Sequence, residues 1–216
     1  MTLISNKYKF IYIKTCRTSS TATQLYLEKF CDEKYEKSKK VPGVYNSDEL
    51  YNHSNALEIK DYLYKNNRGH IWETYKKITV IRDLYANIYS NYGWRLLRKN
   101  GIQYDNVNNF IENEDINDII KRGIYNMICI NHKVIIDKFI IYENYDKSMN
   151  ELLLYLEIDE KYVSKPKLYN FISQHDSDKY SEVFNEKSYQ IINKSILFKK
   201  CMLIPDFKKN YSIKKK

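Results

Sequence analysis

Short apolar runs alternate along the chain with stretches whose apolar residues recur at helical spacing, and each run stops at a polar cluster. Phe10, Ile11, Tyr12 and Ile13 form an apolar, β-rich series, so Tyr8 to Ile13 is expected to be a short buried strand. The polar turn Lys14 to Ser20 breaks it. Leu25, Leu27 and Phe30 then lie among helix-compatible residues, which predicts a helix from near Thr18 to about Asp32. Residues 33 to 52 hold charges and the Pro42-Gly43 turn pair and are expected to be a surface excursion. Ser54 is the expected cap of a helix over Asn55 to Tyr64. A second short helix is expected around His70 to Lys77, and Ile78 to Ile81 reads as another strand, ending at Arg82-Asp83.

Leu84, Ile88, Tyr92 and Leu96 recur at helical spacing behind Asp83, a suitable N-cap. Asn106 to Arg122 reads as one acidic amphipathic helix. Met127 to Ile130, the polar pair Asn131-His132, and Val134 to Tyr142 predict a hairpin whose second strand is long and apolar. Met149 to Ile158 and Glu186 to Leu197 read as helices, with a less regular region beginning at Lys165-Pro166 between them. Strands interleaved with helices predict a layered α/β fold with a largely parallel sheet, in which ligands collect at the carboxyl ends of strands. The polar strand ends at Lys14 to Ser20 and at Arg82 are therefore the candidate site edges.

The length of 216 residues predicts a single domain over residues 1–207, followed by a basic tail over 208–216. Hydrophobic residues make up 43% and charged residues 29%, near globular averages, which excludes a disordered, collagenous or coiled-coil chain. No apolar run approaches the roughly 18 to 20 residues that span a bilayer, and Met1 to Phe10 lacks the apolar stretch of a signal peptide. A cytoplasmic protein without membrane partners is expected. Cys16, Cys31, Cys129 and Cys201 are far apart with no C-x-x-C pair, so free thiols and no metal site are expected. The formal charge is +9, but Lys208, Lys209, Lys214, Lys215 and Lys216 fall in the last nine residues, and the body carries only +4. A mildly basic body suits a phosphate-bearing cofactor or an acidic substrate better than it suits a nucleic acid.

Lys14, Thr15, Arg17, Thr18, Ser19, Ser20 and Thr21 place two cations and five hydroxyls on a turn that enters a helix. The unpaired N–H groups and partial positive charge of a helix start make such a turn an anion cradle, while capping without a ligand uses the same residues. The turn lacks G-x-x-x-x-G-K-[ST], which argues against an ordinary kinase or NTPase. FIYIKTCRTSSTATQLYLEKF, residues 10 to 30, resembles the 5′-phosphosulfate loop of sulfotransferases dependent on 3′-phosphoadenosine 5′-phosphosulfate (PAPS), in particular the bacterial and carbohydrate branch with loops like K-T-x-K-T-A-G-T-S. ITVIRDLYANIYSNYGW, residues 78 to 94, is similar to that family's 3′-phosphate motif. NHSNALEIKDYL and HIWETYKKITVIRD between them resemble its N-H-x-S-A-x-E-I-K and I-W-x-x-Y-F-K-F-T segments, and VIIDKFIIYENYDKSMNELLLYLEI its I-D-F-I-x-R-Y-E-N-L strand and following helix. Tyr180 to Phe184 is weakly similar to its Y-R-x-x-Y stretch. The likeness covers most of residues 8 to 200 in the family's order. The family's loop lysine falls on Arg17, its glycine on Ser20 and its following serine on Ala22; Leu84 replaces its proline, Asn87 its arginine, and Ile141 an arginine of many relatives.

The resemblance implies a P-loop-type three-layer fold with a mainly parallel central sheet flanked by helices. It implies transfer of a sulfuryl group from PAPS, leaving 3′-phosphoadenosine 5′-phosphate (PAP), to a hydroxyl or amine of an acceptor, with a glycan favoured and a small hydroxylated molecule the alternative. Arg17 would meet the leaving 5′-phosphate, Thr18, Ser19, Ser20 and Thr21 would form the cradle with Lys14 in reserve, and Arg82 and Ser90 would hold the 3′-phosphate. His53 aligns with the family's histidine and is the expected general base, an imidazole titrating near 6.5, with Glu143 the alternative base. His70, His132 and His175 read as surface or turn residues. Acceptor specificity is expected from residues 33 to 52 and 99 to 130, where the likeness is weakest. Two other readings stand beside this one: a catalytically inactive nucleotide or polyanion binder on the same fold, which the changes at Arg17, Ser20 and Leu84 favour, and a nucleic-acid binder using the basic tail and exposed tyrosines.

Overall fold

The structure, a computed structural model, describes residues 2–35, 50–97, 104–161 and 179–208. The expectations for Pro42-Gly43, Lys165-Pro166, His175 and the tail beyond Lys208 lie outside the described residues, as do parts of the two segments expected to set acceptor specificity. In chain order the elements are β1 (Thr2–Ser5), β2 (Phe10–Tyr12), α1 (Ser20–Leu27), β3 (Glu33–Tyr35), α2 (Ala56–Lys65), α3 (Gly69–Thr74), β4 (Lys76–Ile81) and α4 (Leu84–Leu96). There follow α5 (Val107–Asn113), α6 (Ile116–Ile120), α7 (Asn126–Ile128), β5 (Cys129–Ile130), β6 (Lys133–Val134), β7 (Lys138–Ile141), α8 (Tyr145–Tyr155), α9 (Tyr180–Val183), α10 (Glu186–Lys194) and α11 (Ile196–Met202). The chain divides into two compact units, Met1–Ile81 with Asn126–Pro166, and Arg82–Tyr125 with Lys167–Lys216. Among the described residues, no helix is long and apolar enough to cross a membrane.

The first unit is built on a mixed five-stranded sheet in the order β3-β1-β2-β4-β7. Its β2, β4 and β7 are parallel, with Tyr12 opposite Ile78 and Val80 opposite Ile140, whereas β1 runs antiparallel to both β2 and β3. Alternate residues Leu3, Phe10, Tyr12, Ile78, Val80 and Ile140 turn to one face, where Leu27 of α1 and Tyr145, Met149, Leu152 and Leu153 of α8 cover them. The opposite-parity residues Ile4, Ile11, Ile13 and Ile81 are equally buried. Burial on both faces explains why these strands read as continuous apolar runs rather than as alternation. The mixed α/β class and the parallel central strands flanked by helices agree with expectation.

Several boundaries differ, each for a local reason. The strand expected over Tyr8 to Ile13 is confined to Phe10–Tyr12, although Ile13 N still donates to Ile78 O at 2.9 Å. The strands β1 and β3 were not expected; β1 is only four residues long, and the Glu-Lys-Tyr of β3 carries the charges typical of an edge strand, a pattern that reads as loop. The helix expected to reach Asp32 ends at Leu27 and tightens into a 3-10 turn over Glu28–Phe30. Asn55, not Ser54, caps α2, through a capping box in which its side chain accepts from Glu58 N while the Glu58 carboxylate accepts from Asn55 N. Lys76 and Lys77 belong to β4 rather than to the helix before it. The expected long strand Val134 to Tyr142 is two strands: β6 pairs with β5 in a two-residue hairpin, and β7 joins the large sheet. Asp137 makes the break, its N donating to Lys77 O at 2.8 Å and its carboxylate accepting from Lys77 N at 2.6 Å. Helix α8 begins at Tyr145, a turn earlier than expected.

The second unit is helical among its described residues. Asp83 caps α4 as expected, accepting from Ala86 N at 2.9 Å. The helix expected over Asn106 to Arg122 is divided because Asp115 caps α6, and a π-helical turn over Lys121–Tyr125 follows. The helix expected over Glu186 to Leu197 is divided at Ser195, whose hydroxyl accepts from Phe198 N at 3.1 Å and starts α11. Tyr85 stacks on Tyr180 and meets Phe198 at the centre of this unit.

Phe10 is fully buried in the sheet core, so Phe10→Ala is expected to lower the unfolding free energy by about 3 to 5 kcal/mol. Leu154 on α8 is 78% exposed, and Leu154→Ala should change it by less than about 0.5 kcal/mol. Urea denaturation of the two variants measures both.

Candidate functional site

The loop that follows β2 has to turn a strand into a helix within seven residues, and it does so without glycine. Backbone φ is positive at Arg17 (59°) and again at Ser19 (58°), and at none of Cys16, Thr18 or Ser20. L-residues enter this region at a cost of order 1 kcal/mol each, and such conformations persist where the surroundings enforce them. The enforcement here comes from hydroxyls. Thr15 Oγ1 donates to Val80 O on β4 at 2.5 Å, which spends its only proton, so the Thr18 hydroxyl donates to Thr15 Oγ1 at 2.8 Å. Ser20 Oγ donates to Thr15 O at 2.5 Å and Tyr12 OH to Ser20 O at 2.8 Å. Thr23 Oγ1 donates to Ser19 O at 3.3 Å and in turn accepts from Tyr145 OH of α8 at 2.6 Å. Burial holds the Tyr12 phenol well above its ordinary range, so it remains a donor.

Backbone of alternating hand turns successive N–H groups toward one side and creates an anion-binding concavity. Among the described residues, the N–H groups of residues 18 to 22 find no acceptor, and the hydroxyls of Ser19 and Thr21 make no hydrogen bond. Ser19, the N-cap of α1, makes no side-chain cap bond. Thr18 and Ser20 are buried with their side chains committed to the loop, so what they offer a ligand is backbone N–H. Arg17, the left-handed residue just before Thr18, is half-buried. Lys14 is 4% exposed and its Nζ donates to Gln24 Oε1 at 2.8 Å; Gln24 Nε2 donates to Glu28 Oε1 at 2.9 Å. The Lys14 charge therefore lies beneath α1 rather than in solvent.

His53 is brought to the same loop. Its Nδ1 lies 3.0 Å from the Lys14 carbonyl and 3.5 Å from Cys16 Sγ. A carbonyl only accepts, so Nδ1 carries the proton and Nε2 keeps its lone pair. Burial, reinforced by the Lys14 and Arg17 charges and opposed by the Lys14 backbone bond, pushes the imidazole down to about 4. The expectation of a group titrating near 6.5 is corrected accordingly. Burial likewise pushes the Cys16 thiol up, against the lowering by Arg17 and Lys14, so it stays protonated.

Glu143 is half-buried in the 3-10 turn Tyr142–Asn144, at the carboxyl end of β7 in the first unit. Arg82 and Ser90 belong to the second unit: Arg82 is 6% exposed just before the cap of α4, and Ser90 is half-buried on that helix. His70 and His132 are exposed, as expected. Sequence reasoning missed Tyr12, Thr23 and Tyr145, which hold the loop from below. Tyr145 is 122 residues from Thr23 and carries no local signal of the pairing. Among the described residues no group of three or more His, Cys, Asp or Glu is arranged to hold a metal. No family model matches the chain, and no curated protein or solved structure matches it.

The His53 shift makes a prediction about stability. Unfolded, the imidazole titrates near 6.5 and folded near 4, so the unfolded state binds more protons in between. Stability is expected to fall as pH is lowered through that window, by on the order of 3 kcal/mol, and to level off below it. The neutral variant His53→Asn should lose this slope. Urea unfolding of both proteins at pH 7, 5.5 and 4 measures the difference.

Proposed function

We propose that this chain is a PAPS-dependent sulfotransferase of the P-loop-like kind, transferring a sulfuryl group to a hydroxyl or amine of an acceptor, a carbohydrate by preference. The observation that carries the reading is the anion cradle of open N–H groups at residues 18 to 22, with a neutral histidine hydrogen-bonded to its rim. The residues suit the group: a nest of N–H donors at a helix start, an arginine and two uncommitted hydroxyls match the charge and acceptor oxygens of a phosphosulfate. When bound, PAPS supplies a sulfuryl group on a phosphate leaving group. Arg17 and the N–H groups of Thr18 to Thr21 hold the phosphate end and stabilise the negative charge that grows there, and being already in place they need no reorganisation. His53 takes the acceptor's proton at Nε2, while its Nδ1–H remains on the Lys14 carbonyl. For the 3′-phosphate the proposal rests on the resemblance alone, which assigns it to Arg82 and Ser90; Glu143 is the second candidate base.

A histidine near 4 is unprotonated at neutral pH but a weak base. An anion beside Lys14 and Arg17 offsets their positive field and favours the imidazolium, so binding itself strengthens the base. Addition of PAP is therefore expected to move the His53 titration upward from about 4, as read by NMR of the imidazole carbons; an unmoved titration with PAP bound would remove the coupling.

Calorimetric titration with PAP, with AMP as control, tests the reading directly. Micromolar binding that needs the 3′-phosphate is expected, abolished by Arg17→Ala or Arg82→Ala. His53→Ala should keep PAP affinity and lower kcat by about 100-fold or more. Binding of neither nucleotide would sink the proposal, and tight PAP binding without transfer to any acceptor would leave an inactive nucleotide binder.

A further inference from the structure

His53 occupies the third position of a four-residue turn, Tyr51 to Ser54, closed by Ser54 N donating to Tyr51 O at 3.0 Å. Its φ is 66°, whereas φ at Asn52 is not positive. Turns of that shape take glycine or asparagine at the third position, because other side chains crowd the backbone there. A histidine in this conformation persists only where the surroundings over-determine it. The next residue does so. Ser54 Oγ accepts from Tyr51 N at 2.8 Å, so two bonds of opposite sense join the same pair of residues. Ser54 is 1% exposed, which keeps water from substituting for either bond. Helix capping falls to Asn55, so the Ser54 hydroxyl is committed to the turn alone. Beyond it α2 is anchored by Ala56, Ile59 and Leu63, all fully buried.

We propose that Ser54 is a positioning residue for His53: its buried hydroxyl locks the turn in the left-handed conformation that lays Nδ1 on the Lys14 carbonyl and leaves Nε2 with its lone pair. Among the described residues, Lys14, Cys16 and Arg17, from the loop after β2, are the charged and titratable groups that act on the ring. Only the kinetic part of the test rests on the reading of His53 as a base.

In Ser54→Ala the Tyr51 N–H loses its Ser54 acceptor, and the strained turn loses one of the two bonds that join Tyr51 to Ser54. NMR of protein labelled with nitrogen-15 histidine is expected to show one tautomer, protonated at Nδ1, for His53 in the parent protein. Ser54→Ala should show both tautomers and a titration at least about one pH unit closer to 6.5. Ser54→Thr, which keeps the hydroxyl, should restore the parent spectrum. A His53 signal in Ser54→Ala that matches the parent in tautomer and titration overturns the proposal. A double-mutant cycle separates positioning from general loss of stability: glycine adopts the turn unaided, so Ser54→Ala should lower Tm less in a His53→Gly background than in the parent. Equal losses in both backgrounds also overturn it. In a sulfuryl-transfer assay Ser54→Ala should lower kcat by about 10- to 100-fold with PAP affinity unchanged. The titration and the cycle need no cofactor, so failure of the sulfotransferase reading and failure of this one give different patterns.

Discussion

The parallel pairing of β2 on β4 is the contact on which the candidate site depends. It delivers the chain to the carboxyl edge of the sheet at Ile13, whose N–H is still in register with Ile78, and the next hydroxyl, Thr15, bonds to Val80 as though it were one further rung of the ladder. From that fixed point Thr18 and Ser20 bond back to Thr15, and the two left-handed residues of the stretch they close, Arg17 and Ser19, have little choice of conformation. A side-chain hydroxyl continues what the backbone ladder stops doing. The conformation of the proposed anion cradle is thus a consequence of strand pairing in the core, transmitted through three hydroxyl groups.

The fold was legible where burial is two-sided and local signals are strong. The apolar runs at Phe10 to Ile13 and Ile78 to Ile81 declared the parallel strands, and Asp83 declared the start of α4. Elements whose identity depends on a distant partner were not legible. The edge strand β3, Glu-Lys-Tyr, becomes a strand only because β1 lies beside it. Asp137 breaks an otherwise apolar run because Lys77 across the sheet offers both its N–H and its carbonyl. Ser195 and Asp115 interrupt helical periodicity by capping, a choice that competes with helix continuation and depends on small differences.

The site divides the same way. That Lys14 to Thr21 forms a turn rich in hydroxyls entering a helix is a statement about adjacent residues, and the chain displays it directly. That His53 meets the Lys14 carbonyl, 39 residues away, needed the likeness of whole segments rather than any local pattern. Nor does any local pattern distinguish the three hydroxyls that build the loop from the two, on Ser19 and Thr21, that are left open. Composition alone treats all five as equivalent donors.

Glycine would have been the cheaper residue at positions 17, 19 and 53, all with φ near 60°. Each instead carries a side chain able to bond or bear charge: a guanidinium, a hydroxyl and an imidazole. Keeping them there gives up roughly 1 kcal/mol or more apiece of folding stability. The chain recovers part of it through buried and half-buried hydrogen bonds, to Thr15 Oγ1, to the carbonyls of Ser19 and Ser20, and from Tyr51 N to Ser54 Oγ. A loop built in this way is stiff. On the proposed reading, N–H groups aligned before an anion arrives leave little of the binding energy to be consumed in ordering the backbone, and the Lys14 and Arg17 charges already act on His53. Strain spread over three left-handed residues is the physical counterpart of the preformed site that the proposed function calls for.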